Sequence, residues 1–146
     1  MTREGPFWDA MEGRAAPPPS AVLLGWELVS IDPDAGTIEV AFAASAQFLN
    51  PAGVIQGGFV AAMLDDTMGP AVHLMTEGRF YTVTIGLTVS FLAPAKPGRL
   101  IGEGQVVQLG KSIVFVDANL ANGDGMPVAR ASAQARLIPM ERLAVT

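Results

Sequence analysis

Phe59 to Met75 is the feature that most limits what this chain can fold into. The segment is built from Ala, Met, Leu and Val, has no β-branched run, and reads as a long helix that is apolar nearly all round. Gly57-Gly58 opens it and Glu77-Gly78-Arg79 closes it, while Pro70 inside it predicts a kink or a break near Gly69. A helix with so little polar face has to be covered on most sides, and the flanking sequence offers strands as the cover. Before it, Ser20 to Ile31 and Thr37 to Phe42 read as strands joined by the turn Asp32-Pro33-Asp34-Ala35-Gly36. After it, Phe80 to Leu92 sets Val83, Ile85, Leu87, Val89 and Phe91 on one parity. Leu100 to Leu109, Ser112 to Leu120 and Val128 to Ile138 read as further strands. Pro94 to Gly98 turns the chain into the first of these, and Gly110-Lys111 and Asn122 to Gly125 link the rest as hairpins. The order predicts an α+β fold, an antiparallel β-sheet wrapped around one long central helix. A doubly wound fold would need several helices alternating with strands.

Pro6 to Met11 allows a turn or two of helix, and Pro17-Pro18-Pro19 forces an extended connection. Residues 1–19 therefore read as an N-terminal extension to a core of about 20–138, within a single domain spanning 1–146. Half of the residues are hydrophobic, either because the core is rich in Ala and Val or because a surplus covers a subunit interface. The formal charge is −5 with only nine Lys and Arg, which argues against a general nucleic-acid binder. With no cysteine there is no disulfide, no Cys-based zinc site and no Cys nucleophile. Met1 to Pro6 lacks the basic start and apolar run of a signal peptide. Val40 to Leu64 is uncharged but broken by Asn50-Pro51, Gln56 and three glycines, a poor membrane span. The expectation is a soluble cytoplasmic protein that binds neither nucleic acid nor membrane.

Two places carry candidate chemistry. Asp65-Asp66 sits inside the apolar helix, where adjacent positions point about 100° apart. One of the two carboxylates can face outward while the other is driven toward the core or an interface, where a charge is costly without a partner. A solvated pair or a structural hydrogen bond to a strand is the competing reading. The second place is Asn50-Pro51-Ala52-Gly53-Val54-Ile55-Gln56-Gly57-Gly58, which ends in two glycines at a helix N-terminus. Free N–H groups there, with the positive end of the helix dipole, suit a developing oxyanion, although a Gly-Gly junction alone is common. His73 reads as a cap or packing residue, and Met63, Met68 and Met75 as core. Lys96, Arg99 and Lys111 lie in turns. No cluster of side chains suggests a metal.

The combination Asn50, Gly53, Gln56-Gly57-Gly58 and Asp65 resembles the hotdog thioesterases, specifically the group related to the phenylacetate-pathway and 4-hydroxybenzoyl-CoA thioesterases. That group carries His-Gly-Gly with an acid nine positions after the His and an Asn or Gln six positions before it. Here Gln56 stands in the His position, Asp65 follows it by nine and Asn50 precedes it by six. Val83 to Gly98 resembles the family's third strand and the turn after it. The resemblance covers roughly residues 20 to 138.

It implies an acyl-CoA thioesterase that releases a free acid and CoA without cofactor or metal. Asp65, rather than Asp66, would be the general base or nucleophile. Asn50 would orient water or thioester, Gly57 and Gly58 would polarise the carbonyl, and Thr84 would help to hold the attacking water. Gln56 replaces a titrating group with one that only donates and accepts hydrogen bonds. Gly110-Lys111-Ser112 resembles the hairpin that often touches CoA phosphates, so Lys111, Ser112 and Lys96 are candidate substrate contacts. The rival readings are a non-catalytic acyl-CoA binding module and a hydroxyacyl-thioester dehydratase.

Spacing adds a consequence of its own. Asp65 lies about 11 Å along the helix from its N-terminus, too far to act on a carbonyl held there. The oxyanion group and the base must then come from two chains, in a homodimer or a dimer of dimers, and the resemblance likewise implies sites at subunit interfaces.

Overall fold

Turn chemistry separates the strands. The computed structural model describes residues 3–143; Met1 and Thr2, part of the N-terminal stretch read above, lie outside the described residues, as do 144–146. Strand β1 spans Glu27–Asp32 and β2 spans Thr37–Ala44. Between them the Asp32 carboxylate accepts the N–H groups of Asp34 and Ala35 at 3.0 and 3.1 Å, and Gly36 takes a positive φ of 73°. The later strands are β3 (Phe80–Phe91), β4 (Gly98–Leu109), β5 (Ile113–Asn122) and β6 (Pro127–Pro139). All six form one sheet in the order β1-β2-β4-β5-β6-β3, and every neighbouring pair is antiparallel.

Among the described residues three α-helices accompany the sheet: α1 (Pro6–Met11), α2 (Pro19–Leu24) and α3 (Gly57–Met75). The wrapped arrangement expected from the sequence is present, with α3 packed against β2, β3, β4, β5 and β6. Val60, Met63, Leu64, Val72 and Leu74 of the helix are buried in one core with Val40, Phe42, Leu100, Val114 and Leu120 of the strands. Gly102 and Gly104 of β4 let the helix settle onto the sheet. A Cβ on Gly104 would come within 3.2 Å of the Thr67 carbonyl, and one on Gly102 would collide with the Thr67 hydroxyl.

Three expectations need correction. Ser20 to Ile31 is not one strand. Pro19 starts α2 at a position where a missing N–H costs nothing, and Gly25 ends it in the left-handed conformation at φ 64°, so β1 begins only at Glu27. Pro70 does not break α3, which runs continuously from Gly57 to Met75. Proline deprives the carbonyl four residues back of its donor, here that of Asp66. The indole N–H of Trp26 supplies the replacement, donating to the Asp66 carbonyl at 2.9 Å.

The single parity of β3 also fails. The register against β6 shifts between Thr84 and Gly86, a β-bulge at Ile85. Beyond it Leu87 and Val89 pack on the core, whereas Val83 and Ile85 before or at it are exposed. The N-terminal segment is more than an appendage: Trp8 is buried, and Phe7 packs edge-on to both Trp8 and Trp26.

Candidate active site

The bulge in β3 makes the first half of the site. Without it Thr84 would point to the outer face of the sheet, the face that Val83 takes now; with the extra residue, Thr84 opposes the buried Ala135 of β6 and faces the helix. Its hydroxyl then donates to the Asp65 carboxylate at 2.8 Å. Asp65 is half-buried on the flank of α3 that meets β3. Beneath this pair lies a narrow cavity of about 10 Å³, lined by Asp65, Met68, Gly69, Val72, Thr82 and Thr84 from α3 and β3 and by Val116, Ala133 and Ala135 from the sheet. A carboxylate held by a hydroxyl and still open to water is able to accept a proton from it. Thr84 was legible from sequence only through resemblance; Gly86, a lone glycine inside a β-branched run, is the local signal for the bulge that aims it.

The second half lies at the other end of α3. Leu49 and Ile55 bridge across a tight loop, and Gly53 turns it at φ 79°. The Asn50 side-chain oxygen accepts the N–H groups of Ala52 and Val54 at 3.0 and 3.2 Å, so it shapes this loop. That leaves only the Asn50 amide nitrogen for any substrate. Gln56 is the N-cap residue. Its backbone N–H donates to Phe48 at 2.8 Å, its carbonyl accepts from Phe59, and its side chain is exposed without capping the helix. Among the described residues no backbone acceptor meets the N–H of Gly57 or Gly58, as expected for the first turn of a helix. Gly58 faces open space, but Gly57 does not: the ring of Phe91 rests 3.3 Å from where a Gly57 Cβ would be.

Asp65 with Thr84 and Gly57 with Gly58 therefore form two separate groups, and no hydrogen bond among the described residues joins them. Lys96, Lys111 and Ser112 are exposed in the β3–β4 and β4–β5 connections. His73 belongs to neither group; its Nδ1–H donates to the Phe80 carbonyl at 3.0 Å and ties the end of α3 to β3.

Asp66 points elsewhere. One of its carboxylate oxygens is buried and has no hydrogen-bond partner among the described residues. Burial, and then the neighbouring Asp65 charge, push its carboxyl up to about 6.

Among the described residues no helix is long and apolar enough to cross a membrane. Residues 52–129 match the model of the thioesterase superfamily. A phenylacetic acid degradation-related protein from Ralstonia eutropha JMP134 is 35% identical, with a TM-score of 0.83 over 89% of this chain and 98% of that one. The protein smu.793 from Streptococcus mutans UA159, bound to acetyl CoA, shares the fold with a TM-score of 0.69 at 24% identity, over 78% of this chain and 89% of that one. A protein of Saccharolobus solfataricus carrying an esterase designation is 26% identical across 72% of this chain and 73% of its own length. The long helix in its wrapped sheet, the acid on its flank and these matches give one identity: the chain belongs to the thioesterase superfamily and is a hotdog-fold thioester hydrolase.

Proposed function

We propose that this protein hydrolyses acyl-CoA thioesters to the free acid and CoA, as a homodimer whose two active sites are each built from both chains. The observation that carries the reading is the Asp65–Thr84 pair, a partly solvated carboxylate held in place by a 2.8 Å hydrogen bond. Asp65 takes a proton from water as the water oxygen attacks the thioester carbonyl. The Gly57 and Gly58 N–H groups of the other chain hold the oxyanion, and its collapse breaks the C–S bond and releases CoA thiolate. Gln56 and the Asn50 amide nitrogen orient the substrate, and neither has to titrate. Lys96, Lys111 and Ser112 are the candidate CoA contacts. The acetyl CoA held by smu.793 on the same fold supports a CoA thioester as the ligand.

The edges of the sheet support the dimer. One edge is β1, six residues long. The other is β3, twelve residues long, with Tyr81, Val83 and Ile85 at least half exposed. A long apolar edge strand invites a further strand, and a second copy of β3 is the occupant proposed.

Free-thiol release over a panel of acyl-CoAs tests the activity. Tight binding without turnover would leave a binding module instead. Complementation tests the shared site. Gly58→Val adds bulk where the fold leaves open space, and Asp65→Asn removes the base. Each variant alone is expected to be nearly inactive. Verified mixed dimers should regain up to about half of the wild-type activity, because one of two equivalent sites is whole. Inactive mixed dimers would place the site within a single chain.

A further inference from the structure

Phe91 ends β3 on the helix-facing side, opposite the buried Ala129 and two residues beyond Val89. Its ring packs beside Gly57, with two ring atoms 3.3 Å from the place a Cβ would occupy, yet the residue is 58% exposed. A large aromatic side chain thus stands half in solvent beside N–H groups that have no backbone acceptor among the described residues. A carbonyl oxygen accepting from the Gly57 N–H at about 2.9 Å sets its carbon, and the carbon attached to it, next to the residue that the ring packs against. On the other side Gly58 is open, so the approach to the helix end runs past Phe91 over Gly58.

We propose that Phe91 is the wall that selects the acyl group, limiting branching at the carbon next to the thioester carbonyl. The inference rests on the hydrolysis reading above and deepens it. The ring offers shape and apolar surface but no hydrogen bond, so it discriminates hydrocarbon; the amide-bearing arm of CoA needs polar partners that it does not provide. Gly57 is small because the ring occupies the space beside it, while Gly58 is small on the side left to the substrate.

The test compares butyryl-CoA with isobutyryl-CoA, equal in carbon number and different in branching. Phe91→Ala is expected to raise kcat/KM for the branched substrate relative to the straight one by about tenfold, the scale of one methyl group in an apolar pocket. Phe91→Leu should shift the ratio less, and it preserves more of the packing on Gly57 if the alanine variant melts early or fails to dimerise. A ratio unchanged in both variants, or a uniform loss on both substrates, overturns the wall and leaves Phe91 a packing residue. If the wild-type protein hydrolyses neither substrate nor any other thioester, the hydrolysis reading falls separately. The wall is then read from calorimetric affinities for the corresponding non-hydrolysable CoA thioethers, where the same change in ratio is expected and an unchanged ratio overturns it.

Discussion

Asp65 and Asp66 are chemically identical neighbours, and α3 carries them into opposite surroundings. Asp65 faces the edge strand, takes a hydrogen bond from Thr84 and keeps contact with solvent. Asp66 turns about 100° away, under the N-terminal segment. Trp26 hydrogen-bonds its carbonyl, and Phe7 lies 5.7 Å from the ring of His73, seven residues further along the helix. Among the described residues no donor reaches the buried Asp66 carboxylate oxygen. The difference teaches that a carboxylate in an apolar helix is a reactive group only where a donor holds it and water reaches it. Where no donor holds it and burial keeps most of the water away, it raises the free energy of the fold.

The largest effect should separate the two residues outright. Asp65→Asn is expected to lower kcat by ~10²–10⁴, the range for losing a general base, whereas Asp66→Asn should stay within about twofold of wild type because it touches no reacting atom. Equal losses in steady-state thiol release would end the distinction. Next comes the hydroxyl that holds Asp65. Thr84→Val should cost about 10- to 100-fold in kcat, as expected for a hydrogen bond to a charged group, and Thr84→Ser should recover most of it. Full activity in Thr84→Val would show that the carboxylate is held by something else.

Two smaller effects concern stability on the Asp66 side. Trp26→Phe keeps the ring packing but leaves the Asp66 carbonyl with neither a helical nor an indole donor, because Pro70 has no N–H. The expected loss is about 1–3 kcal/mol in denaturant unfolding, with kcat unchanged.

Asp66→Asn should instead stabilise the protein. A carboxyl lifted to about 6 in the folded state binds more protons than the unfolded chain between about pH 4 and 6. Stability therefore falls as pH rises through that window, and the full penalty applies above it. Removing the charge should add about 1–2 kcal/mol at pH 7.5, less than the whole shift because the group is partly solvated, and nothing near pH 3.5. Urea melts of both proteins across pH 3.5–8 check the sign; a gain at low pH that disappears at high pH would reverse it.

Much of the fold was legible because its signals are local. The helix from Gly57 to Met75 follows from composition and its glycine punctuation, and β4, β5 and β6 follow from runs of β-formers between Gly- and Asn-containing turns. Ser20 to Ile31 misled because Val22, Leu23 and Leu24 suit a strand as well as a helix. Pro19 and Gly25 mark the helix, and they act only as a pair of boundaries. In β3, alternation from Val83 to Phe91 concealed a bulge, since one extra residue exchanges the faces without altering the residue pattern. The site divided in the same way. The Asp65-Asp66 pair stood out inside an apolar helix and Gly57-Gly58 at its start, the choice of Asp65 and the place of Gln56 came through the resemblance, and the loop-shaping hydrogen bonds of Asn50 and the ring over Gly57 were not legible at all.

The sequence by itself determined the long apolar helix, the alternation of strands and turns that must cover it, and the distance along α3 between its open N–H groups and Asp65. These follow from backbone geometry and side-chain periodicity within a few residues. Tertiary structure alone decided that Thr84 turns inward to Asp65, that Trp26 answers the carbonyl Pro70 leaves bare, and that Phe91 rests on Gly57. Thr84 and Trp26 meet partners 19 and 40 residues away in the chain. Contacts of that kind are set by strand register and by how closely helix and sheet pack, and residue order specifies those only through the whole assembled core.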